Sequence, residues 1–270
     1  MHEVRIDGET LTIEDVVKVA RENEKVAIPE EAKKRVKRSR EVLEKLVKEN
    51  QVIYGVNTGF GALSSVKISP QEIKQLQTNL IRSHSSGVGK PLSREIARAL
   101  MLLRVNTLAK GYSGIRLETL ETIVEMLNKG VHPIIQAKGS VGESGDLAPL
   151  SHMILVLMGE GKAEYQGKVM TGKEAMEKAG IKPVQLDFKE GIALNNGTQL
   201  MTAIAALTIH DAEKLIKTAE VAAALTLEAL LGVSDAFDEK IHRVRPHYGQ
   251  AITAKNVREL IRVRASLLLN

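Results

Sequence analysis

The 270-residue chain contains no cysteine and no tryptophan, and only 3% of it is aromatic. Without cysteine there is no disulfide framework, thiolate zinc site, iron–sulfur cluster or cysteine nucleophile. The scarcity of aromatics argues against stacking platforms for single-stranded nucleic acid. A long apolar run is also missing. The longest uncharged stretch, Gly191 to His210, holds Asn195, Asn196, Gly197 and Gln199, which a bilayer core would not accept cheaply. The opening residues MHEVRIDGETL have no apolar signal-peptide core. A cytoplasmic protein with no membrane and no nucleic-acid partner is expected. The net charge of +5 comes mostly from residues 30–48, with eight basic and four acidic side chains. Their helical interleaving predicts a solvated helix face.

With 43% hydrophobic residues, the chain can build a packed core, and helix signals dominate it. Thr12 and Asp15 predict a capping box opening a helix over 13–23. Pro29 suits the first turn of a helix over about 30–49. Ser93 can cap 94–110, ended by Gly111, and 116–128 is amphipathic and stopped by Gly130. Residues 199–231 lack Gly and Pro until their end and predict the rod of a helical bundle. Residues 163–170, with Gln166-Gly167 at the turn, predict a hairpin. The expected fold is mainly α: a helical region over 1–198 carrying the site loops, then the start of a long-helix oligomerisation core over 199–270.

Four glycine-rich segments interrupt the helices: 54–65, 83–91, 138–153 and 194–199. Glycine there is costly unless backbone must approach something closely or take positive φ. Familiar motifs do not account for them. SGVGKP lacks the P-loop's first glycine, replaced by His84, and its Ser/Thr, replaced by Pro91. Gly142-Glu143-Ser144-Gly145-Asp146 fails the hydrolase elbow at its fifth position. No HExxH is present, and His242 and His247 are badly spaced for one helical face, so no metal is expected.

The same loop permits a different chemistry. Gly145 lacks a side chain, so its amide nitrogen can approach the carbonyl of Glu143. Attack there, with loss of two waters, yields a five-membered ring whose exocyclic methylene derives from Ser144 Cβ. Ser-Gly-Asp is equally an ordinary helix start, and both readings stand at this point.

Seven stretches, in order, carry a resemblance: YGVNTGFG (54–61), NLIRSHSSGVG (79–89), GYSGIR (111–116), GSVGESGDLAPLSHM (139–153), LVLMGEGKA (155–163), EGIALNNGTQ (190–199) and FDEKIHRVRPHYGQ (237–250). Together they resemble the aromatic amino acid ammonia-lyase family, and within it the histidine-type members. The resemblance implies the amino-terminal half of that aspartase/fumarase-like fold. It also implies a 4-methylideneimidazole-5-one (MIO) electrophile made from residues 143–145, with Asp146 following. The implied reaction is non-oxidative elimination of ammonia from L-histidine to give trans-urocanate. By the same resemblance Tyr54 matches the acid/base tyrosine, Asn196 the stabilising asparagine, and Ser83-His84 the substrate-selecting pair. A polar imidazole at that pair suits an imidazole substrate.

Two departures stand out. Glu143 replaces the family's alanine; its side chain lies outside the ring but sets a carboxylate beside it. Family members are about twice this long, and the resemblance places the second tyrosine, the carboxylate-binding arginine and a late glutamate in the other half. A truncated or split chain is therefore expected, working as a homo-oligomer or with a carboxy-terminal lyase chain. The alternatives are a non-catalytic assembly or regulatory subunit, with cyclisation ended by Glu143, and a 2,3-aminomutase.

Overall fold

The computed structural model of the chain describes residues 3–141 and 144–268. The fold is mainly α. In chain order the elements are β1 (Glu3–Arg5), α1 (Ile13–Arg21), β2 (Lys25–Ala27), α2 (Glu30–Lys48), α3 (Pro70–His84), β3 (Val88–Pro91) and α4 (Arg94–Ala109). There follow α5 (Leu117–Lys129), β4 (His132–Pro133), β5 (Gln136–Lys138), α6 (Leu147–Leu157), β6 (Lys162–Tyr165), β7 (Lys168–Thr171) and α7 (Gly172–Lys178). The chain closes with α8 (Glu190–Asn195), α9 (Gln199–Ala229), α10 (Glu239–Arg243) and α11 (Tyr248–Leu268). It divides into two compact units, Met1–Leu207 and Thr208–Asn270. No helix among the described residues is long and apolar enough to cross a membrane.

Local signals act where they were expected. Thr12 and Asp15 form a complete capping box at α1. Gly130 ends α5 in the left-handed conformation at φ +78°. Gln166 and Gly167 both take positive φ, the backbone of a type I′ hairpin joining β6 to β7. Two expectations shift. Pro29 occupies the N-cap of α2 rather than its first turn. Ser93 is the N-cap of α4, but its side chain makes no capping bond.

The core of the first unit is built around α4. Leu100, Met101, Leu102 and Val105 are fully buried, each removal from water contributing roughly 1.5–3 kcal/mol. Helices α1 and α5 flank α4, and their apolar faces supply Val16, Val19, Leu120 and Ile123.

Short ladders then set the loops. Strand β3 pairs antiparallel with β5, joining the segment after α3 to the segment before α6. A buried carboxylate fixes the start of α8. Glu190 accepts from the Arg116 amide at 3.2 Å, Arg116 Nη2 at 2.5 Å, Thr119 Oγ1 at 2.6 Å and the Asp187 amide at 2.9 Å. Arg40 lies 3.8 Å over the Phe188 ring and bonds Asp187 Oδ2 at 3.2 Å. Between them Lys189 is held at φ +73°, a strained conformation for a lysine.

One buried histidine couples this core to pH. His132 Nε2 lies 3.1 Å from Arg98 Nη1. A guanidinium only donates, so this ring nitrogen accepts and the imidazole is neutral. Burial first, and then the Arg98 charge, lower the His132 pKa to about 4. The unfolded chain binds this proton more readily than the folded one, so stability is complete above pH 6.5 and falls as pH drops toward 4. Denaturant unfolding at pH 7, 5.5 and 4.5 is expected to show His132 contributing a loss of up to about 3 kcal/mol across this range, and His132→Gln is expected to flatten that part of the profile.

Candidate active site

Ser144, Gly145 and Asp146 lead directly into α6, and the turn Asn196–Thr198 links α8 to α9. These two segments meet. Gly145 pairs with Gly197 as an isolated parallel bridge, and the Asp146 amide donates to the Gly197 carbonyl at 2.6 Å. Gly145 has φ +99°, and a Cβ there would fall 2.1 Å from the Gly197 oxygen. Both conformation and space demand glycine.

Asp146 is the N-cap of α6, yet its side chain makes no bond to that helix. Its buried carboxylate serves the neighbouring helix instead. Oδ2 accepts from the amides of Leu200 at 2.8 Å and Met201 at 3.0 Å, and Oδ1 accepts from Ser140 Oγ at 2.9 Å. These are two of the amides that the first turn of α9 leaves unpaired. One side chain thus fastens the Ser144 loop to the start of the long helix.

The other candidate residues enter through their own segments. Ser83 and His84 end α3. His84 Nδ1 lies 2.8 Å from the Leu80 carbonyl and 3.0 Å from Ser83 Oγ. A carbonyl can only accept, so Nδ1 carries the proton, and in the neutral ring Nε2 is the acceptor. The segment then folds onto α6: the Gly87 amide donates to His152 Nε2 at 3.1 Å. A Cβ on Gly139 would lie 3.0 Å from Gly87 Cα, so the 83–91 segment is in contact with the backbone at Gly139. Asn196 is half-buried, and its Nδ2 donates to the Ile192 carbonyl at 3.2 Å and to Asn195 Oδ1 at 2.8 Å. Tyr54 is half exposed, its ring edge-on to Phe60 at 6.2 Å. Its neighbour Gly55 sits against Ile192 of α8, which brings the 54–61 segment to the helix that ends at Asn196. Ser144 is exposed. Glu143 lies outside the described residues.

Sequence reading did not single out Ser140, His152 or Arg104. Arg104 is buried in α4 and donates to Gln199 Oε1 at 2.7 Å and to the Ala193 carbonyl. The available signal was a lone arginine in the apolar run MLLRV of a helix.

Residues 11–267 match the profile of the family described as aromatic amino acid lyase. The chain belongs to the aromatic amino acid lyase family. It is 59% identical over 97% of its length to a histidine ammonia-lyase of Alkaliphilus metalliredigens, covering 52% of that protein. It is 55% identical, again over 97% of its length, to the histidine ammonia-lyase of Caldanaerobacter subterraneus, covering 51% of it. Among solved structures, a tyrosine aminomutase from Streptomyces globisporus superposes with TM-score 0.90 at 42% identity, over 97% of this chain and 49% of that one. Histidine ammonia-lyase from Trypanosoma cruzi does so with TM-score 0.88 at 40% identity, over 95% of this chain and 50% of that one. The chain spans about half the length of these lyase-family relatives.

The family is MIO-dependent, and the Gly145 backbone fits such a group: glycine is required there, and the Gly197 carbonyl fills the space a side chain would need. The Asp146 tether gives this lyase-family loop a measurable strength. Asp146→Asn keeps the shape but removes the charge from three hydrogen bonds, and unfolding free energy is expected to fall by about 1–3 kcal/mol. Ser140→Ala, losing one of the three, is expected to cost about 1 kcal/mol. A loss for Asp146→Asn below about 0.5 kcal/mol in urea denaturation would count against the tether.

Proposed function

We propose that this chain is the amino-terminal part of a histidine ammonia-lyase. The observation that carries the reading is its 59% identity to a protein of that name, over 97% of the chain. The reaction would remove a proton from the substrate β-carbon and break the Cα–N bond. Ammonia leaves, and the double bond of trans-urocanate forms.

The chain's own residues divide the work as follows. Ser144 and Gly145, with Glu143, supply the atoms of MIO, which when formed acts as an electrophile drawing electron density from the substrate. Asp146 and Gly197 hold the Gly145 peptide in place. Asn196, at the turn that touches this peptide, would stabilise the MIO group and the bound substrate. Tyr54 moves a proton in the elimination. His84, its tautomer fixed by the Leu80 carbonyl and its ring beside Ser83, presents Nε2 as an acceptor to an imidazole N–H. The remaining groups come from a carboxy-terminal half. Leu215, Ile216, Val221 and Leu225 are exposed around α9, apolar surface suited to a bundle shared between chains in a homo-oligomer or with a carboxy-terminal lyase chain.

A second reading, a 2,3-aminomutase, draws support from the tyrosine aminomutase likeness and from the same His84 acceptor, which would also take a phenol O–H.

Intact-mass measurement on the full assembly is expected to show a loss of two waters from this chain and an ultraviolet difference band, both abolished in Ser144→Ala. Histidine is then consumed with growth of urocanate absorbance. A β-amino acid product instead selects the aminomutase. An unchanged mass with histidine untouched leaves only a non-catalytic subunit. His84→Leu is expected to raise KM for histidine tenfold or more with a smaller change in kcat, because the imidazole donor loses its acceptor.

A further inference from the structure

Arg104 sits where core packing alone would favour leucine or methionine. It lies in the apolar run Met101–Val105 of α4 and is 3% exposed. A buried cation is costly unless its hydrogen bonds are well met, and its bonds here reach no carboxylate. Burial lowers its pKa to about 10, so it remains charged at neutral pH. Nε has no hydrogen-bond partner among the described residues.

The two bonds that it does make are placed at either end of one turn. Nη2 donates to the carbonyl of Ala193, in the last turn of α8, where a cation meets the negative end of the helix. Nη1 donates at 2.7 Å to Oε1 of Gln199, the first residue of α9. Gln199 Nε2 in turn donates to Thr107 Oγ1 at 3.1 Å, nearly one helical turn further along α4. The link between those ends is Asn196-Gly197-Thr198. Gly197 rests against the clamp: a Cβ there would lie 2.4 Å from Arg104 Nη1 and 2.2 Å from Gln199 Oε1. The carbonyl of that same residue accepts the Asp146 amide and pairs with Gly145.

We infer that Arg104 is a positioning residue of the site. By bridging the end of α8 to the start of α9, it sets the Asn196–Thr198 turn against the Ser144–Asp146 segment. The turn thereby holds the Gly145 peptide for ring closure and presents Asn196. The inference rests on the proposed lyase reading for its chemical consequence, but its structural content stands apart from it.

The molecule supplies its own control. Arg98, also on α4 and also buried, donates to the carbonyls of Val19 and Leu127 and to His132. None of these belongs to the turn. Removing either arginine disturbs a buried cation in the same helix, but only Arg104 touches the site.

The test uses the full-length protein and four variants: Arg104→Met, Arg104→Lys, Gln199→Met and Arg98→Met. Residue-resolved hydrogen exchange reports the Asp146 amide, and intact mass reports the fraction of chains lacking two waters. Arg104→Met and Gln199→Met are expected to speed Asp146 exchange tenfold or more and to lower the matured fraction at least threefold. Arg104→Lys, which can reach one end of the turn but not both, is expected to fall between them and wild type. Arg98→Met is expected to lower thermal stability with Asp146 exchange and maturation unchanged. Should Arg104→Met fail to fold, Gln199→Met decides, since it opens the bridge and leaves the cation on the Ala193 carbonyl. Wild-type exchange at Asp146 together with wild-type maturation in folded Gln199→Met overturns the inference. If the wild-type protein itself never loses two waters, the lyase reading falls, and Asp146 exchange alone decides the role of Arg104.

Discussion

The arrangement of the site depends on two glycine backbones in contact. Gly145 and Gly197 come so close that a single added carbon at either would collide with its neighbours. Everything around the pair keeps it closed. Asp146 reaches across to the amides of Leu200 and Met201, and Ser140 steadies that carboxylate from the loop side. Because the contact is between main chains, it holds the peptide and leaves the side chains on both segments available for chemistry.

Buried polar groups maintain that geometry from a distance. Glu190, fully buried, collects four donors from three residues, Arg116, Thr119 and Asp187, and pins the start of α8. Arg104 holds its end. A six-residue helix has little stability of its own, so tertiary bonds at both termini fix its place. Each of these groups would be costly if left unpaired, so the network favours one arrangement over near alternatives. The same bonds join the GYSGIR and EGIALNNGTQ stretches: half-buried Arg116 meets buried Glu190.

What was legible in the sequence follows the range of the forces involved. The Thr12–Asp15 box, the Gly130 stop and the Gln166-Gly167 turn are each settled within a few residues, and each reads directly. Ser93 reads as a cap by type, yet its hydroxyl makes no capping bond in the folded chain. Helix α8 is invisible to periodicity, because it is six residues long and its N-cap is a lysine with positive φ. The β3–β5 ladder is equally hidden, since α4 and α5 intervene between its strands. At the site, the glycine-rich segments and the Ser144-Gly145 pair stood out by composition. Their convergence did not, because it depends on backbone contacts between distant segments that no spacing rule encodes. The role of Asp146 was half visible: Ser-Gly-Asp reads as a helix start, but the Asp146 side chain bonds first-turn amides of the other helix.

That exchange of helices has a consequence for biosynthesis. The amides that secure Asp146 belong to residues 54 and 55 positions later in the chain. A nascent polypeptide can therefore dock Gly145 and Asp146 only after the start of α9 has cleared the ribosome. Until then Asp146 remains a solvated carboxylate, Gly145 has no facing strand, and the peptide stays an ordinary loop. Any chemistry that requires the compressed form is scheduled by translation itself, after the long helix has begun to emerge.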